Sequence, residues 1–218
     1  MIELKNVFLK YTKEFYSLYD INLKIDKGET IALLGKEDSG KSSILRLIAK
    51  LEKATKGSIY ILDRPLNKFN FANDFSLGYI PYKGNFLENK TVYDNLKYIL
   101  KVRKVPKQDY ENIINQVLIN FNLEGVRDDK LSKMSLYNRY VLSIARLSLR
   151  KLDAVLIDNI FEELDDNEQK KIIALIKKYF INKKITSVIA TSYENIAKSV
   201  AKRIVKLENG SIITDEEK

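Results

Sequence analysis

The residues with the clearest chemical meaning lie together in Gly35-Lys36-Glu37-Asp38-Ser39-Gly40-Lys41-Ser42. Glycine, four residues, then Gly-Lys-Ser is the phosphate-loop spacing. The chemistry of such a loop is the grip of a triphosphate. Unpaired backbone N–H groups and the positive end of the following helix face the anion. Lys41 is placed to reach the terminal phosphates, and the Ser42 hydroxyl is a ligand for Mg²⁺. A strand must deliver this loop and a helix must leave it. Ile31-Ala32-Leu33-Leu34 reads as the short apolar strand, and Ile44, Leu45, Leu47 and Ile48 give a helix opening at Lys41 its buried face.

A length of 218 residues suits one sizeable α/β domain or two small ones. No apolar run approaches the ~20 residues of a membrane span, and Met1 leads into a strand-like pattern rather than a signal peptide. The absence of cysteine excludes a disulfide framework or a thiolate metal site and fits a reducing compartment. The formal charge of +9 is spread along the chain in a background of Ile, Asn and Lys, so it reads as compositional bias and no nucleic-acid partner is expected. There is no histidine, so any role that an imidazole would fill falls to another group.

The remaining elements follow from alternation and capping. Ile2–Val7 and Tyr19–Ile25 alternate as strands, with Tyr11 in a short loop after the first. Gly57–Leu62 is a further strand, Asp63-Arg64-Pro65 a turn, and Leu77–Pro81 a buried strand stopped by proline. Thr91 is an N-cap for a helix over Val92–Val102, and Lys107–Phe121 is helical. Ser135 caps a helix through Leu149. Asp153–Asp158 is a buried strand ending in an acid, followed by a helix over Asp166–Tyr179 and a strand over Ile185–Ala190. Tyr193–Ala201 is a short helix, Ile204–Leu207 a strand, and Asn209-Gly210 a hairpin turn into Ser211–Thr214. Tyr137 and Tyr140 stand at a helical spacing that signifies packing rather than base stacking. The basic residues Lys97, Lys101, Arg103, Lys104 and Lys107 read as a solvated helix end. Helices cluster between about Thr91 and Leu149, while strands and helices alternate on either side.

The order of these pieces resembles the nucleotide-binding domain of ABC transporters over nearly the whole chain. Tyr11 sits where that family places an aromatic on adenine, and Gly35–Ser42 is its Walker A loop. Gly78-Tyr79-Ile80-Pro81 leads into the Q-loop, Met134–Arg146 aligns with the signature motif and its helix, Val155–Asp158 is Walker B, and Leu164-Asp165 resembles the D-loop. Leu131-Ser132 is an alternative signature start, but it leaves three residues too many before Ile144-Ala145-Arg146. The resemblance implies a RecA-like P-loop NTPase core, in class α/β, with an antiparallel β subdomain and a helical subdomain. One domain is expected over residues 1–218, with the core in 1–83 and 151–218 and the Q-loop region and helical subdomain in 84–150.

The resemblance further implies ATP and Mg²⁺ as ligands. Tyr11, Gly35, Lys36, Glu37, Asp38, Ser39, Gly40, Lys41, Ser42 and Ser43 would bind nucleotide, and Ser42 with Asp158 would hold the metal. Family members work as head-to-tail dimers docked on transmembrane permease subunits, so a second nucleotide-binding domain and a position on the inner face of the cell membrane are implied. Several departures bear on turnover. Asn159 stands where the family has a water-polarising glutamate, Ser192 where it has a histidine, and Tyr82 where it has the Q-loop glutamine. The signature reads Met134-Ser135-Leu136-Tyr137-Asn138 in place of Leu-Ser-Gly-Gly-Gln, and Asp38 replaces a loop glycine. A neutral amide takes no proton, so a general-base contribution of ~10²–10⁴-fold is expected to be missing. The expected function is an ATP-binding transporter subunit with weak or lost hydrolysis. A competent homodimeric ATPase, with Glu162 or Glu163 as substitute base, and a non-transport member such as a cell-division type remain alternatives. Glu162 and Glu163 are otherwise expected on the solvated start of the next helix, where acids favour the dipole.

Overall fold

The computed structural model describes residues 1–12, 16–71 and 74–217. Two sheets organise it. Strands β1 (Ile2–Lys10), β2 (Tyr16–Ile25), β4 (Lys56–Ile61) and β5 (Arg64–Pro65) form an antiparallel sheet in the order β2-β1-β4-β5. Strands β3 (Thr30–Leu34), β6 (Leu77–Ile80), β7 (Ala154–Asp158), β8 (Thr186–Thr191), β9 (Arg203–Glu208) and β10 (Ser211–Glu217) form the second sheet in the order β10-β9-β3-β8-β7-β6. It is parallel except for β10, which returns antiparallel to β9 through Asn209-Gly210, both at positive φ as a primed hairpin turn requires.

The period-two alternation of the central strands sorts the core onto the two faces of that sheet. Ile31 and Leu33, Ala154 and Leu156, and Val188 and Ala190 face the antiparallel sheet and α1 (Lys41–Ile48). Ala32, Leu34, Val155, Ile157 and Ile189 face the other way, into a core shared with α2 (Val92–Val102), α3 (Tyr110–Phe121), α4 (Leu136–Ser148), α5 (Asp166–Tyr179) and α6 (Glu194–Val200). Burial on both faces is why β7 reads as an unbroken apolar run. Between β6 and β7, which are hydrogen-bonded neighbours, the chain makes the excursion carrying α2, α3 and α4. This is the α/β core with an antiparallel β subdomain and a helical subdomain that the resemblance implied. Tyr140 is fully buried and Tyr137 half-buried against the same core, as their spacing indicated.

Three expectations are corrected. Arg64-Pro65 is not part of a turn but a two-residue strand on β4, because Leu62 and Asp63 both take positive φ and turn the chain first. The helix expected over Lys107–Phe121 is broken: a 3₁₀ turn over Lys107–Asp109 follows Pro106, whose φ, ψ of −58°, 136° is extended, and α3 starts at Tyr110. Glu162 and Glu163 do not lie on the start of α5. Asp165 caps that helix, accepting from the N–H groups of Asn167 (2.9 Å) and Glu168 (2.8 Å) while the Glu168 carboxylate accepts from the Asp165 N–H (3.2 Å). This capping box starts the helix at Asp166 and leaves both glutamates in the preceding loop.

Candidate nucleotide site

The parallel strands end at one edge of the second sheet, where open α/β sheets bind ligands. There β3 runs into the phosphate loop, β8 into Ser192, β7 into Asn159 and β6 into Tyr82. The loop is tight. A Cβ at Gly35 would lie 2.5 Å from the Leu207 carbonyl oxygen and 2.5 Å from Ser39 Oγ, and Gly40 takes a φ of 101° that favours glycine. Asp38 sits at φ 59°, a left-handed conformation that aspartate tolerates. No side chain among the described residues caps α1 at Gly40, so the N–H groups of its first turn keep their capacity for an anion.

Lys41 is 3% exposed, and its ammonium donates to the carbonyls of Gly35 and Lys36 (2.7 Å each) and to Ser39 Oγ (3.3 Å). Burial pulls its pKa below the usual lysine value, while Glu162, then Asp158, Asp38 and Glu37 oppose that shift. Ser42 Oγ donates to Asp158 Oδ1 at 2.7 Å. A hydroxyl and a carboxylate converging in this way form a hard-oxygen pair of the kind that holds Mg²⁺ together with phosphate oxygens and water. The residues present fit that ion and a nucleotide. Asp158 Oδ2 also accepts from the Tyr79 hydroxyl at 3.0 Å, and burial, followed by the Asp158 charge, drives the Tyr79 phenol well above its normal range.

Around this centre the substituted positions are engaged. Asn159 takes a φ of 48°, its N–H donates to the Ala190 carbonyl (3.1 Å), and its Oδ1 is buried with no partner among the described residues. Ser192 Oγ donates to Glu162 Oε1 at 2.6 Å. The Tyr82 hydroxyl donates to Glu163, a bond that pushes the phenol up to about 12 and lowers the Glu163 carboxyl. Gln169 Nε2 donates to the carbonyls of Phe161 and Leu164, 3.1 Å each, pinning the loop that carries both glutamates. Tyr11 is half exposed beside α1. Its hydroxyl donates to the Glu52 carboxylate (2.9 Å), accepts from Arg46 (3.1 Å), and lies 3.2 Å from Ser43 Oγ, which in turn contacts Ser17 Oγ at 2.7 Å.

The structure therefore brings Lys41, Ser42, Asp158, Asn159, Ser192 and Tyr82 to one sheet edge, with Tyr11 and Ser43 beside it. No hydrogen bond joins Met134–Asn138 to that edge among the described residues. Met134, Leu136 and Tyr137 pack on the helical core, and exposed Ser135 caps α4 by accepting from the Asn138 N–H at 3.3 Å. Sequence reasoning missed Tyr79, Gln169 and Glu52. Tyr79 carried a signal: a polar-tipped aromatic in an otherwise buried short strand calls for a partner.

The fold and the loop define a phosphate-loop nucleotide-binding protein. The family model described as ABC transporter matches residues 18–162. Methionine import ATP-binding protein MetN 1 of Bacillus thuringiensis subsp. konkukian is 28% identical over 222 residues, covering 99% of this chain and 66% of that protein. The sn-glycerol-3-phosphate import ATP-binding protein UgpC of Bartonella bacilliformis is 31% identical over 212 residues, covering 97% of this chain and 61% of that protein. The chain thus spans about two thirds or less of these relatives. A dimeric structure of MJ0796, a bacterial ABC transporter cassette, superposes with a TM-score of 0.88 at 27% identity, covering 100% of this chain and 98% of that one. A post-hydrolysis dimer of the same cassette, bound to ADP and Pi, gives 0.87 at 26%, with the same coverage. This chain belongs to the ABC transporter family, and its fold is that of the ATP-binding cassette.

Proposed function

We propose that the chain is an ATP-binding subunit of an ABC transporter whose own hydrolysis is weak or lost. It binds Mg-ATP at an interface with a second cassette and transmits that event to a transmembrane permease from the inner face of the cell membrane. The observation that carries this reading is the contrast between neighbours: Ser42 and Asp158 stand paired for a metal ion, while residue 159 offers a neutral amide in place of a base. Lys41, Ser42 and the first turn of α1 hold the phosphates, Tyr11 offers its ring to the adenine, and Mg²⁺ would supply charge neutralisation when bound. No helix among the described residues is long and apolar enough to cross a membrane, so the membrane component in this reading is a partner. A groove of about 570 Å³ between α2 and α3, lined in part by Leu87, Tyr93, Lys97, Tyr98 and Tyr110, supports docking of that partner close to the Q-loop region. The known importers among the relatives favour import, with the cargo chosen by the permease.

Light scattering tests the binding half of the proposal. Mg-ATP is expected to promote cassette dimers with the wild-type chain, or with its competent partner cassette, and Lys41→Ala is expected to abolish the effect. Dimers that form equally with the alanine variant would contradict it.

A competent homodimeric ATPase is a second reading, favoured by the position of Glu162, whose carboxylate reaches Ser192 and acts on the Lys41 charge. Under that reading Asn159→Glu changes turnover little; under the first it raises turnover sharply.

A further inference from the structure

The loop after β7 carries two carboxylates whose partners come from different strands. Glu162 accepts from Ser192, just beyond β8, and Glu163 accepts from Tyr82, beyond β6, with Lys83 Nζ 3.6 Å away. In the sheet β8 lies between β3 and β7. The Gly35 N–H donates to the Thr191 carbonyl at 3.3 Å and the Asn159 N–H to the Ala190 carbonyl at 3.1 Å, so residue 192 leaves β8 beside the start of the phosphate loop, with the end of β7 on its other side. A phosphate chain seated on the loop, with its far end at Lys41 and its metal at Ser42 and Asp158, runs its last phosphate toward the Glu162–Ser192 pair. Glu162 is also the carboxylate that most strongly opposes the lowering of the Lys41 pKa, whereas Glu163 is turned to Tyr82 and Lys83. Glu162 thus already uses a hydroxyl donor and a share of an ammonium field that a terminal phosphate would require. Two anions cannot share them at contact distance without repulsion.

We propose that Glu162 sets the nucleotide preference of this site, standing in for the third phosphate and ranking a nucleoside diphosphate above a triphosphate. The proposal rests on the nucleotide-binding reading above. A diphosphate leaves the Glu162–Ser192 bond in place, and a triphosphate must displace it. The preference is separate from the lack of a base at 159, because it acts on ground-state binding and not on turnover.

Calorimetric titration of the full chain with Mg-ADP and with the non-hydrolysable Mg-AMP-PNP tests it. Glu162→Gln, which keeps the shape and removes the charge, is expected to tighten AMP-PNP on the order of tenfold and ADP less than about twofold. Glu163→Gln removes the same charge one residue further on and is expected to change the ratio less than about twofold. Equal tightening of both nucleotides by Glu162→Gln, no change, or the same ratio shift in Glu163→Gln overturns the proposal. A chain that binds neither nucleotide in any of the three forms overturns the nucleotide-binding reading itself, and this proposal with it.

Discussion

Both oxygens of Asp158 are claimed, Oδ1 by Ser42 and Oδ2 by Tyr79, and the carboxylate is 3% exposed. A buried charge is tolerable only when so bonded. Tyr79→Phe removes one donor and is expected to lower the unfolding free energy by about 1.5–3 kcal/mol, the range for hydrogen bonds to charged groups. An unchanged denaturant midpoint would show the bond to be idle. Tyr140 makes a separate pH prediction. Burial pushes its phenol up to about 12 from 10.0, although its oxygen accepts from the Lys83 N–H at 3.1 Å. The folded state therefore holds this proton more tightly than the unfolded state, so the contribution is full below about pH 10 and is lost as pH rises toward 12. Tyr140→Phe is expected to flatten that alkaline decline, measured as urea midpoints across the window; an identical decline in both proteins would contradict it. At this scale the phosphate loop was plain in the sequence, because its chemistry is local and its spacing rigid. The tie between Glu162 and Ser192 was not, since it joins residues 30 apart in the chain through sheet order.

Among the elements, α2 shows how much a helix start depends on a few polar groups. Thr91 accepts from the Asp94 N–H (3.0 Å) while Asp94 accepts from the Thr91 N–H (3.4 Å). One turn further on, fully buried Asn95 accepts from the Leu87 N–H and donates to the Leu87 and Thr91 carbonyls, fastening the approach loop to the helix. Thr91→Ala is expected to cost about 1 kcal/mol. Asn95→Ala is expected to cost more, about 1–3 kcal/mol, because it removes three hydrogen bonds made by a fully buried side chain to Leu87 and Thr91. Equal midpoints for the two variants would refute the ranking. The bounds of α2 and α5 were legible because caps and periodicity are local signals. The strand at Arg64-Pro65 and the break before α3 were not. The first depends on pairing with β4, and the second on the extended backbone of Pro106.

For the molecule as a whole, the order of strand, phosphate loop, helical excursion, acidic strand and final strands was legible as a family pattern, and the two-sheet architecture follows it. The pairing of the two loop glutamates with the substituted positions was not, because each contact crosses between strands that the sequence gives no means of placing side by side. In the proposed function, the phosphate-binding half of the site is kept while the base is absent. Comparing steady-state ATP turnover per chain in the wild type, Asn159→Glu and Lys41→Ala tests that claim most directly. Turnover is expected to be slow in the wild type, to rise on the order of 10²-fold or more on restoring the carboxylate at 159, and to vanish in Lys41→Ala. Rapid wild-type turnover that depends on Lys41 and gains nothing from Asn159→Glu would contradict it.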